Sequence, residues 1–369
     1  MVAGHLCLDI TPVFPPGKSQ NLSDYLIPGK LIQMDPATIH TGGAVANTGL
    51  ALKKLGADVR LVGKIGKDAF GDLVLGIMRK YGADQDVVVD EKDNTSYTIV
   101  VAPPGVDRIF LHSPGANDSF GTEDIPEEKL SDLSLFHFGY PATMKRMYKG
   151  GGAELLHMLK KVREKGIAVS LDLVAVDEES EAGKEDWGQI LADVLPYVDF
   201  FVPSAEELCY MLDHDRYETW MKRADGKDVT EILNVEEDIR PLADQAMKLG
   251  AKVLLIKCGA SGMYYRAGAK EVIQKIPKAA GLDADGWAGK EGFFQSYVPK
   301  RVRSGAGAGD SSIAAFLCAA LRGYPMEQCV SLAAAEGASC VEEFDALSGI
   351  KTLEELEAKI KSGWKQRKF

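Results

Sequence analysis

The chain has 369 residues, 46% of them hydrophobic, enough to bury a large core as one α/β domain or as a domain with an excursion. A net charge of -11 leaves no basic face for nucleic acid, although it does not exclude a nucleotide held by local amides and magnesium. No uncharged apolar run reaches the roughly 18 residues that span a membrane.

In chain order, Met1 to Asp9 lacks a basic leader and reads as a first strand rather than a signal peptide. That strand ends at Asp9, whose carboxylate can take two hydroxyl hydrogen bonds or close a turn. Thr41-Gly42-Gly43-Ala44-Val45-Ala46-Asn47 is a glycine turn entering a helix of small residues that Gly56 stops. Gly42 and Gly43 let backbone approach a ligand, and Asn47 offers both a donor and an acceptor; the alternative is a helix start with a satisfied Asn. A strand follows over 58–66 and a helix over 68–81.

Residues 95–102 and 108–112 flank Pro103-Pro104-Gly105 and read as a hairpin outside the βα rhythm. Strand 135–139, helix 153–165, strands 168–172 and 199–203, helix 239–249 and strand 252–257 then alternate. Such alternation predicts an α/β fold: a doubly wound, mainly parallel sheet with helices on both faces and ligands beyond the carboxyl ends of its strands. Stretches at about 215–235 and 278–300 read as surface insertions, and Thr352-Leu353-Glu354-Glu355 is a capping box opening a terminal helix. Six cysteines without a C-x-x-C pair and scattered histidines argue for buried thiols in a reducing cytoplasm and against zinc.

Gly305-Ala306-Gly307-Ala308-Gly309-Asp310 puts small residues where a turn becomes a helix and ends them in a carboxylate. Unpaired amides of Gly307, Ala308 and Gly309 at a helix start suit a phosphate, and Asp310 beside them suits a base for an attacking hydroxyl. A glycine-rich loop with Asp310 as a capping acid is the plainer alternative. No G-x-x-x-x-G-K-[ST] occurs, and the glycine run follows no clear strand, so neither a P-loop nor a Rossmann nucleotide site fits.

The 41–66 segment resembles the N-terminal signature of the PfkB, or ribokinase-like, sugar kinases, and Gly307-Ala308-Gly309-Asp310 resembles their C-terminal signature. The resemblance spans about residues 2–350. It implies one ribokinase-like kinase domain over 1–369 with a small β-sheet lid drawn from about 11–40 and 95–114, a lid that in this family often pairs with its copy in a homodimer. It implies ATP and Mg2+, a small sugar as partner, Asp310 as general base and the backbone of 307–309 as anion hole. Substrate binding falls to Asp9, Gly42, Gly43, Asn47, Arg108 and Asn117. Nucleotide binding falls to Lys257, Gly259, Ser261 and Gly262, with the helix after Val330 walling the adenine pocket. Glu207 matches the magnesium-holding acid of the family's N-x-x-E element; as residues alone, Glu206 and Glu207 read equally as first-turn helix acids. Ser204 stands where asparagine is usual, and Ser304-Gly305-Ala306 stands where Asp-Thr-Thr is common. A nucleoside kinase of the same fold and a non-catalytic sugar- or nucleotide-binding relative are the alternatives.

Overall fold

The computed structural model describes residues 1–15, 22–104 and 109–367. An eight-stranded sheet runs in the spatial order Glu291–Gln295, Gly262–Ala267, Val253–Cys258, Phe200–Phe201, Ala168–Asp172, Leu135–Gly139, Val2–Gly4, Leu61–Val62. The six strands from Val253–Cys258 to Leu61–Val62 pair in parallel, and only Gly262–Ala267 runs against its neighbours.

Consecutive strand residues bury on opposite faces, which is why the strands read as unbroken apolar runs. Val253 and Leu255 join one core while Leu254 and Ile256 join the other, and Phe200 and Phe201 divide the same way. Helices Ala44–Lys54, Ala308–Leu321 and Met326–Cys340 pack on the first face, and Lys145–Glu164 and Arg240–Lys248 on the second.

A separate four-stranded sheet, in the order Asp35–Gly42, Cys7–Val13, Tyr97–Val101, Ile109–Ser113, gathers the segments expected to make a lid. The chain leaves the central sheet at Gly4, so Asp9 does not end the first core strand as expected but lies inside a lid strand. The break is fixed by Asn117, buried, whose side-chain amide donates to Leu6 O at 3.0 Å and whose Oδ1 accepts from Leu6 N at 3.1 Å. Residues 58–66 likewise divide into Leu61–Val62 in the central sheet and Lys64–Gly66, which pairs with Val88–Asp90.

Both stretches read as surface insertions are built into the body. Trp220, on helix His214–Ala224, is fully buried and donates its indole N–H to Asp238 at 2.9 Å. Trp287 is fully buried against Phe200 and Phe316, and Glu291–Gln295 forms an edge strand of the central sheet. Large aromatic burial ties both stretches to the core although one is long and irregular and the other strongly charged.

Candidate active site

Helix Ala308–Leu321 starts at Gly307, whose φ of 72° is left-handed and whose missing side chain leaves room for Ala346; a Cβ there would lie 2.2 Å from the Ala346 Cβ. Asp310 is in the first turn and only 5% exposed. Its Oδ2 accepts from Asn47 Nδ2 at 3.2 Å and from the Tyr140 hydroxyl at 2.8 Å, and its Oδ1 accepts from Thr48 Oγ1 at 3.0 Å and the same hydroxyl at 2.9 Å. Two motifs separated by 263 residues therefore meet at one carboxylate.

Burial pushes the Asp310 carboxyl above the usual carboxylate range, while the Lys257 charge and the bonds from Tyr140, Thr48 and Asn47 pull it back. Those bonds come from a helix start and from Tyr140, which follows strand Leu135–Gly139 with a left-handed φ of 69°, rare for a residue with a side chain. Burial, then the charges of Asp310, Asp172 and Glu207, hold the Tyr140 phenol well above its usual value, so it is a neutral donor.

The amides of the motif divide. Ala308 N–H is turned to Gly305 O at 3.3 Å, so Ala308 does not offer the free donor expected of it. The N–H groups of Gly307, Gly309 and Asp310 meet no protein acceptor among the described residues. They border a cavity of about 710 Å³ that is also lined by Asp172, Glu207, Lys257, Gly259, Gly262 and Asp310. Ala334, Gly337 and Ala338 of helix Met326–Cys340 form a further wall.

Lys257 lies along Gly309 but does not face the cavity as a free cation. Its ammonium donates to Asp172 Oδ1 at 2.6 Å and to Val202 O at 2.8 Å. Burial would lower Lys257, but Asp172, Glu207 and Asp310 keep it above its usual value and charged. Asp172 is pushed up to about 8 by burial and by the Glu207 and Asp310 charges, against the pull of Lys257. Glu207 closes a capping box with Ser204, accepting Ser204 N–H at 2.8 Å through Oε2, and its Oε1 meets no protein partner among the described residues. Asp172, Glu207 and Asp310 surround this ammonium, and Glu206, Asp228 and Arg367 complete the charged lining, an oxygen-rich set that fits a hydrated divalent cation.

Across the cavity, Gly259 packs on Thr230, and Gly262 takes φ 143° where a Cβ would strike Phe294 O at 2.1 Å. Ser261, expected to face the nucleotide, instead donates its hydroxyl to Thr230 O at 3.2 Å.

On the lid side, pairing register places His40, Asp9, Thr98 and His112 in one row across the four strands. Asp9 sits over Gly42, where a Cβ would lie 2.2 Å from its Oδ2, and Gly43 lies under the His5 ring with φ 86°. Burial raises the Asp9 carboxyl, offset by bonds from Cys7 and Thr98. Asn117, expected among the substrate ligands, is buried and instead clamps the Leu6 backbone with one donated and one accepted hydrogen bond. Arg108 lies outside the described residues.

Tyr140, Thr48 and Asp172 were not singled out from the sequence. Tyr140 follows a strand's carboxyl end and Asp172 closes one, so the strand-end rule that selected Asp9 could have found both.

A sequence profile of the pfkB family of carbohydrate kinases matches residues 6–353. An uncharacterized sugar kinase of Archaeoglobus fulgidus is 23% identical over 82% of this chain and 98% of its own. The crystal structure of fructokinase with bound ATP from Xylella fastidiosa superposes with a TM-score of 0.70 at 19% identity, covering 98% of each chain. Arabidopsis thaliana ribokinase complexed with ribose and ATP gives 0.68 at 20%, over 98% of this chain and 97% of that one. These likenesses establish a ribokinase-like fold.

Proposed function

This chain belongs to the pfkB family of carbohydrate kinases, and we propose that it transfers the γ-phosphoryl group of ATP to a hydroxyl of a small sugar bound between the lid and Asp310. Family membership makes it a phosphotransferase acting on sugar hydroxyls. The observation that carries the rest is the meeting of Asn47, Thr48 and Tyr140 on the buried Asp310 carboxylate at 2.8–3.2 Å, beside unpaired helix-start amides.

Burial raises the Asp310 carboxyl, and the Lys257 charge with three hydrogen-bond donors favours its charged form against that rise. When an acceptor hydroxyl replaces one of these donors, Asp310 takes its proton as that oxygen bonds to the γ-phosphorus and the bond from phosphorus to the leaving ADP oxygen breaks. The amides of Gly307, Gly309 and Asp310 meet the charge on the transferring oxygens, where one well-aimed donor contributes about 3 kcal/mol. Glu207 would hold magnesium through water, and the ion, when bound, neutralises charge between the phosphate groups. Closing the lid row of Asp9 and Thr98 over the acceptor keeps water from the phosphoryl group.

The lid also supports a homodimer. Ile39, Ile109, Phe110 and Leu111 are exposed on it, an apolar set that a second lid would cover.

An ATP-turnover assay against neutral sugars, sugar acids and nucleosides tests the reading. Phosphorylation of a neutral sugar is expected; a protein that turns over no member, or only nucleosides, contradicts it.

A further inference from the structure

His5 stands between the lid and the base. It follows the last residue of the first core strand, and its backbone is pinned on both sides, N–H to Gly139 O at 3.3 Å and C=O from Val45 N–H at 3.1 Å. The side chain is 4% exposed, yet neither Nδ1 nor Nε2 meets a hydrogen-bond partner. Buried ring nitrogens left this way are uncommon, because each forfeits its bonds to water without replacement.

The surroundings say what partner is missing. The His5 ring lies 5.2 Å from the His112 ring of the lid and 6.2 Å from the Tyr140 ring. His112 is itself tied to Thr98 Oγ1 at 3.1 Å, in the row that holds Asp9, and Tyr140 bonds both oxygens of Asp310. Gly43 passes so close that a Cβ would lie 2.5 Å from His5 Nδ1, so the ring fits against the helix start only because the residue is glycine.

We propose that His5 is a specificity residue of the acceptor site, hydrogen-bonding a hydroxyl of a neutral sugar or polyol next to the one presented to Asp310. This rests on the kinase reading above. A neutral imidazole carries one donor and one acceptor, which matches a hydroxyl and gives no charge to a carboxylate. Burial, and then His112, pull the His5 imidazole down to about 3, which keeps it neutral. The rings shown against it, His112 and Tyr140, bring no cation, since burial lowers the His112 imidazole and raises the Tyr140 phenol, so this part of the site disfavours a sugar acid. Nothing in the sequence marked His5, since a lone histidine near a strand end carries no pattern.

The test uses the full chain, its best acceptor from the turnover panel, and the monodeoxy analogues of that acceptor. For His5→Ala, KM for the parent acceptor should rise about 10- to 100-fold while kcat changes much less. One analogue, lacking the hydroxyl that His5 reads, should bind wild type and variant equally. His5→Asn, which keeps a donor and an acceptor, should recover part of the loss. In the unmutated protein, adding acceptor without ATP should move the 15N resonances of the His5 ring, a readout independent of any variant's folding. An unchanged KM, an equal penalty for every analogue, or 15N resonances that stay put would overturn the role of His5 and leave the kinase reading intact. Wild type that phosphorylates no acceptor would overturn that reading, and this one with it.

Discussion

Tyr140 donates one hydroxyl to both oxygens of Asp310, and its left-handed backbone is what aims it there. Its hydrogen bonds favour the charged Asp310 carboxylate against burial. Removing them lets burial push the carboxyl further up, and a base works only when unprotonated. In Tyr140→Phe the acid limb of the kcat/KM profile should therefore move to higher pH, with activity at neutral pH lowered roughly tenfold; an unmoved limb would show that Tyr140 does not position the base. Asp310 and Asn47 could be picked out from sequence because each sits in a local pattern of glycines entering a helix. Thr48 and His5 could not, since their contacts form only across the fold, and Tyr140 is marked only by its place after a strand's carboxyl end. Asn117 misled for the same reason: only the folded chain shows its amide closed on Leu6.

Among elements, the small sheet is where both the proposed substrate enclosure and the proposed pairing would act. Register alternates its rows: Asp9, Thr98 and His112 in one, Ile39, Ile10, Ile99 and Leu111 in the next. Ile39 and Leu111 at the ends of the apolar row are exposed, 44% and 53%. Sedimentation velocity should find the wild type dimeric at micromolar concentration and Ile39→Asp with Leu111→Asp monomeric; a monomeric wild type would contradict pairing through the lid. The hairpin was legible because two β-rich runs flank a proline-glycine turn. The strand Glu291–Gln295 was not, because Gly292 and the glycines before it look like loop until Trp287 is seen buried on Phe200.

For the whole molecule, the parallel sheet places the carboxyl ends of Leu135–Gly139 and Ala168–Asp172 beside the starts of helices Ala44–Lys54 and Ala308–Leu321. Asp310 and the amides beside it thus meet Asn47, Tyr140 and the acidic residues Asp172 and Glu207, which come from distant parts of the chain. The βα alternation made this architecture readable, while the division into core and lid at Gly4 depended on a clamp from residue 117 that no local pattern encodes. Among the described residues no helix is long and apolar enough to cross a membrane, and all six cysteines are free and buried. The central claim is that Asp310 takes the acceptor's proton. Single-turnover and steady-state kinetics of Asp310→Asn, read beside ATP binding, test it most directly: kcat should fall roughly a hundredfold or more with ATP affinity retained, and a variant that turns over at near-normal rate would contradict it.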